Sequence, residues 1–90
     1  MASIKIPTPL RAYTGGEAKI DVAGKTIAEA LNNLVAQYPD LKPHLFNGDE
    51  LRSFVNIFLG SEDVRFLDGL DTEITPEDDL RIIPSIAGGY

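Results

Sequence analysis

The chain opens on an alternation of apolar and polar residues from Ser3 to Ile6, which Pro7 and Pro9 interrupt before a second run, Leu10 to Thr14. Proline cannot donate to a sheet ladder, so prolines in a strand region mark an edge or a bend. Thr14-Gly15-Gly16 reads as a turn, and Glu17 to Val22 alternates again with Ala18, Ile20 and Val22 on one face. The first residues and this run together predict a hairpin. The period then changes. From Thr26 to Tyr38 the residues Ile27, Ala30, Leu31, Leu34, Val35 and Tyr38 follow the i, i+3, i+4 spacing of one buried helical face. Thr26 and Glu29 have the spacing of a capping box, in which the hydroxyl and the carboxylate each satisfy an orphan backbone N–H. Pro39 ends the helix.

Asp40 to Glu50, with Pro43, Asn47 and Gly48, predicts a short helical turn leading into a loop. Phe54 to Leu59 alternates as a strand, Val55, Ile57 and Leu59 facing one way and Phe54, Asn56 and Phe58 the other. Gly60-Ser61 turns the chain into a shorter strand, Asp63 to Leu67, and Asp68-Gly69 makes another turn. Leu80 to Pro84 is the last strand. Strand, strand, helix, strand, short strand, strand predicts an α+β domain of the β-grasp (ubiquitin-like) kind: a mixed sheet with one main helix packed across one face. That architecture implies that the first and last strands lie side by side and parallel. Residues 1–84 form the β-grasp domain in this reading, and residues 85–90 a flexible tail ending Gly-Gly-Tyr.

Composition narrows the function. Ninety residues, 43% of them hydrophobic, suffice for one core and leave no room for a deep cofactor cavity. There is no cysteine, which removes disulfides, thiolate catalysis and cysteine-ligated metals. The net charge of −6 makes nucleic acid and anionic membranes poor partners and favours basic patches on other proteins. Met1 to Leu10 lacks the charged-then-apolar layout of a signal peptide, and the longest uncharged stretch after the helix, Ser53 to Ser61, is too short to span a bilayer, so the expected location is the cytoplasm. The only histidine, His44, lies between Pro43 and Leu45 and reads as a plain surface or half-buried residue. With no thiol beside it, no Ser-His-Asp or Cys-His set can be assembled, and no phosphate-binding glycine loop or metal-ligand spacing occurs. The acidic run Glu77-Asp78-Asp79 reads as a solvated turn before the last strand rather than as a metal site.

The tail remains. Gly88 and Gly89 lack a Cβ, so they can thread a narrow channel in extended form and let another backbone approach closely. Ordering each of them costs on the order of 1–2 kcal/mol, which a partner must offset with contacts along the tail. A Gly-Gly pair at a chain end is by itself more often a frayed terminus. It becomes specific only with the sequence before it.

That sequence resembles the ThiS/MoaD family of ubiquitin-like sulfur carriers, and within it the CysO-like carriers of cysteine synthesis. The resemblance runs through Ile4-Lys5-Ile6-Pro7-Thr8-Pro9-Leu10-Arg11 with Thr14-Gly15-Gly16, Phe54-Val55-Asn56-Ile57, Glu62-Asp63-Val64-Arg65-Phe66 and Gly69-Leu70-Asp71-Thr72. Its most diagnostic part is the final run, Asp78-Asp79-Leu80-Arg81-Ile82-Ile83-Pro84 through Ala87-Gly88-Gly89. The resemblance implies a protein co-substrate rather than an enzyme. An adenylating enzyme of the ubiquitin-activating type would spend ATP on the Gly89 carboxylate, and a sulfur donor would convert the adenylate to a thiocarboxylate, with no cofactor bound by the carrier itself. Ala87, Gly88 and Gly89 would thread the partner's active site. The acceptor implied is an amino-acid biosynthetic enzyme, for instance a pyridoxal-phosphate sulfhydrylase, with thiamin or molybdopterin synthesis as alternatives.

Tyr90 departs from the usual ending of the family. A Gly89 held in a peptide bond has no free carboxylate, so this form cannot be adenylated there. Some relatives carry residues past Gly-Gly that a JAMM-type zinc metalloprotease removes, which makes the chain a pro-form unless Tyr90 is an expression remnant. The strand periodicity adds a docking patch: if Val55, Ile57 and Leu59 face the helix, then Phe54 and Phe58 project from the opposite face, joined by Ile83 if Leu80 and Ile82 point inward. Two further readings stay open, a ubiquitin-like modifier joined to lysines through Gly89 and a passive β-grasp binding domain with an inert tail.

Overall fold

The computed structural model describes residues 1–48 and 50–84. The first alternation forms β1 (Ala2–Lys5), antiparallel to β2 (Lys19–Val22), with Ile4 opposite Ile20 and Lys5 opposite Lys19. The prolines mark a bend, not an edge. Leu10 to Thr14, read from sequence as part of the hairpin region, belongs instead to a 3-10 helix, Thr8–Thr14. The Arg11 Nε–H donates back to the Ile6 carbonyl at 3.0 Å. Gly15, at φ 65°, closes the segment in the left-handed region with its N–H on the Arg11 carbonyl. Thr14, fully buried, donates its hydroxyl to the Glu17 carbonyl at 2.8 Å.

Helix α1 (Ile27–Gln37) has Thr26 as its N-cap and Tyr38 as its C-cap, as the spacing predicts. The Thr26 hydroxyl accepts the Glu29 N–H at 3.2 Å. The reciprocal half of the box is displaced by one residue, because the Glu29 carboxylate accepts the Lys25 N–H at 2.9 Å, not that of Thr26. Beyond the helix, a 3-10 turn at Pro39–Leu41 leads into the single turn α2 (Lys42–Leu45). A small hairpin, β3 (Phe46–Asn47) with β4 (Glu50–Leu51), follows where sequence predicts only a loop.

β5 (Val55–Leu59) and β6 (Glu62–Asp63) form the next hairpin. The expected strand from Asp63 to Leu67 stops at Asp63, whose carboxylate accepts the Arg65 N–H at 2.9 Å and caps a 3-10 turn, Val64–Phe66. A side chain that satisfies a nearby backbone donor competes with the sheet ladder, and here it wins. After a further 3-10 turn at Gly69–Asp71, β7 (Asp79–Pro84) closes the sheet.

The five-stranded sheet runs β2-β1-β7-β5-β6. β7 lies parallel to β1, with Leu80 beside Ile4, and antiparallel to β5, with Ile82 opposite Ile57. This is the β-grasp, ubiquitin-like fold: a mixed sheet that grips one main helix. Ile27, Leu31 and Leu34 of α1 are fully buried in one core with Ile4, Val22, Val55, Ile57, Leu80 and Ile82 of the sheet. Among the described residues no helix is long and apolar enough to cross a membrane.

Candidate functional site

Everything that could present the tail to another molecule is carried by β7. Its first half is held on both sides, by β1 up to the pair Lys5–Arg81 and by β5 throughout. Past Lys5 the first strand turns away toward Pro7, so Ile82, Ile83 and Pro84 pair with β5 alone, opposite Ile57, Asn56 and Val55. Residue 84 is thus fixed at the rim of the sheet, and the chain leaves from there. The sequence-predicted residues Ala87, Gly88, Gly89 and Tyr90 lie outside the described residues.

The predicted patch has its residues in three settings. Phe58 is half-buried on β5, between core-facing Ile57 and Leu59, and opposite Arg81. Ile83 is half-buried on β7 opposite Asn56, one residue beyond buried Ile82. Phe58 and Ile83 therefore share the outer face of the sheet as diagonal neighbours. Phe54 does not continue the alternation of β5, as its place in the sequence suggested. It sits in the turn before that strand, 42% exposed, with the Arg52 guanidinium 6.0 Å from its ring centroid. That distance is at the outer limit of a cation–π contact.

Sequence reasoning missed the residue that holds this turn. Arg65 donates from Nη2 to the carbonyls of Ser53 and Val55, each at 2.9 Å, so its guanidinium ties down the backbone on either side of Phe54. It missed as well that Phe66 and Leu67 are 83% and 43% exposed. The available signal was Asp63, since an aspartate side chain can accept the backbone N–H two residues on and so end a strand in a turn.

The other candidates are occupied structurally. His44 is half-buried and its ring stacks on Tyr13, centroids 4.2 Å apart. In the acidic run, Asp78 accepts the Thr75 N–H at 2.7 Å and Asp79 accepts the Ser3 hydroxyl at 2.7 Å, which organises the entry into β7. Among the described residues no group of three His, Cys, Asp or Glu side chains could hold a metal ion.

A match to the ThiS family extends over residues 4–89, from β1 through the terminal glycines. The chain belongs to the ThiS family. The sulfur carrier protein CysO of Mycobacterium tuberculosis is 38% identical over 90 residues, covering 97% of each chain. Among solved structures, a chain of the Amycolatopsis orientalis BexX/CysO complex superposes with a TM-score of 0.91 at 36% identity, over 99% of this chain and all of that one. The small archaeal modifier protein 1 of Methanosarcina acetivorans follows the same fold at a TM-score of 0.86 and 29% identity, over 98% of this chain and 95% of that one. This ThiS-family chain therefore has relatives named as carriers and as modifiers, one of them solved in complex with another protein.

Proposed function

We propose that the chain is a sulfur carrier whose working group is the carboxylate of Gly89, released when Tyr90 is removed. The observation that carries this reading is the extent of the family match, which continues past β7 to residue 89 and stops one residue short of the end. A match confined to the core would speak for the fold alone. Near full-length identity of 38% to a sulfur carrier adds to it.

The chemistry follows from what a carboxylate lacks. It is a poor electrophile, so an adenylating enzyme of the ubiquitin-activating type first joins a Gly89 carboxylate oxygen to the α-phosphorus of ATP, with pyrophosphate leaving. Sulfide from a donor then attacks the acyl carbon, the bond from that carbon to the phosphate-bearing oxygen breaks, AMP leaves with that oxygen, and Gly89 ends in a thiocarboxylate. That anion is a soft nucleophile for the same reason that a thiolate is the reactive form of cysteine. It attacks an activated substrate on an amino-acid biosynthetic enzyme, for which a pyridoxal-phosphate sulfhydrylase is the leading choice, and hydrolysis returns the carboxylate. A JAMM-type zinc metalloprotease is the proposed remover of Tyr90. The carrier supplies the tail and the grip; its partners supply the catalysis.

The archaeal modifier relatives favour a second reading, in which activated Gly89 is joined to lysines. The two part at the fate of the adenylate. A chain ending at Gly89, incubated with its adenylating enzyme, ATP and a sulfide source, should release pyrophosphate and gain sulfur at its C-terminus, whereas the form ending in Tyr90 should do neither. Pyrophosphate release by the Tyr90 form would overturn the processing step. An isopeptide bond to lysine with no thiocarboxylate would select the modifier.

A further inference from the structure

The ladder of the sheet places Lys19 opposite Lys5, Lys5 beside Arg81, Arg81 opposite Phe58, and Phe58 opposite Asp63. Ladder partners point to one face of a sheet. The alternate residues Ile4, Ile20, Ile57, Leu80 and Ile82 are buried under the helix, so this row lies on the outer face. Lys19, Lys5 and Arg81 are all exposed. We propose that the outer face is a charge-banded docking surface, on which the row Lys19–Lys5–Arg81 seats carboxylates of the enzyme that activates the tail. This rests on the carrier reading above and names the chemistry of the partner's surface.

Three observations carry it. The first is that these cations do no internal work. Arg11, Arg52 and Arg65 each donate to main-chain carbonyls, whereas Lys5, Lys19 and Arg81 have no side-chain hydrogen bond or ion pair among the described residues. The second is cost: like charges at directly opposed ladder positions destabilise a sheet, so three cations in succession are held against folding stability. The third is banding. On one side of the row lie Asp21, Ser3 and Asp79, with the Ser3 hydroxyl bound to Asp79; the row itself runs on through Phe58 to Asp63, and on its other side lie Ile83 and, opposite it, Asn56. Acidic, basic and apolar groups at fixed places on one face admit one orientation of a complementary surface.

Range matters as well. The net charge is −6, yet at physiological salt the Debye length is about 8 Å. The molecule is 24 Å across at its narrowest, so a docked partner senses the charges of this face far more than those of the opposite one. Lys5 and Arg81 border one depression of about 280 Å³, lined also by Gly60, Ser61, Leu80 and Asp79, whose own carboxylate accepts the Ser3 hydroxyl. Arg81 stands three residues before Pro84 on the strand that leads to the tail, which keeps this row close to the point where a partner must take hold.

The test is pyrophosphate release by the adenylating enzyme as a function of carrier concentration, using the chain that ends at Gly89. For Lys5→Glu with Arg81→Glu, KM should rise at least about tenfold with kcat within about twofold of wild type. Lys25→Glu with Lys42→Glu makes the same change in net charge at other exposed positions and should leave KM within about twofold. The neutral pair Lys5→Gln with Arg81→Gln should fall between them, which guards against a folding defect in the reversal. Added salt should raise KM for wild type and much less for the reversal. A reversal KM equal to that of the Lys25/Lys42 control would overturn the docking surface while leaving the carrier reading intact. No pyrophosphate release by the wild-type chain would overturn both.

Discussion

Gly24 shows how far a single residue constrains this fold. It sits just before α1 at φ +152°, and a Cβ built there would lie 2.8 Å from the Ala30 nitrogen and 2.8 Å from the Glu29 Cβ. Neither is the end of a flexible side chain, so an alanine must push β2 and α1 apart. Gly24→Ala is expected to cost more than about 1 kcal/mol, read as a lower urea midpoint at unchanged slope. An unchanged midpoint would mean that the helix start yields freely. Thr26 could be read from sequence as a cap because its hydroxyl serves a partner at fixed spacing. The backbone donor chosen by the Glu29 carboxylate could not, because the exit of the chain from β2 brings the Lys25 N–H, not that of Thr26, within reach. At the chain end, Gly89→Ala introduces a Cβ where the activated carbonyl must enter a partner's site. In a chain ending at residue 89, adenylation should fall at least about tenfold, or about 1.4 kcal/mol at the barrier. Adenylation at the wild-type rate would remove the reason for a terminal glycine.

Elements with strong period were legible and elements built by local side-chain bonds were not. α1, β5 and β7 follow from runs of Ile, Leu and Val whose spacing leaves one face apolar. The 3-10 helix at Thr8–Thr14 depends on Arg11 reaching back to Ile6 and on Thr14 bonding across the following turn, neither of which leaves a periodic trace. β6 ended early for the same kind of reason, at the Asp63 cap. The hairpin of β3 and β4 is only two residues on each side, too short for alternation to be seen. On β5 the two faces should separate by mutation. Ile57, 1% exposed, should cost about 2–5 kcal/mol on replacement by alanine in a urea titration. Phe58→Ala, from the half-buried outer face, should cost less than half as much. Equal losses would place Phe58 in the structural core and remove it from the docking face.

On the scale of the molecule, the fold is one that many functions share, and fold alone assigns none. What turns the reading toward sulfur transfer is the sequence beyond β7, together with a family match that includes it. The folded part then has two tasks, to hold β7 in the middle of a sheet so that the chain leaves from a fixed point, and to offer a face by which a partner finds it. That the first and last strands lie side by side and parallel was implied by the architecture that the order of elements predicts, whereas the rest of the sheet order was not, since a single alternating pattern does not say which strand is its neighbour. The exposed row of cations on the outer face escaped sequence reasoning because Lys5, Lys19 and Arg81 are far apart in the chain and meet only through the ladder.

The most direct test of the central claim is the intact mass of the protein isolated from its own cells, grown with its sulfur product limiting. The carrier reading predicts a chain that has lost Tyr90 and has one oxygen replaced by sulfur, with the change mapped to Gly89 by fragmentation. A chain that keeps Tyr90 under those conditions, with no sulfur gained, would contradict it and leave a passive β-grasp binding domain as the better account.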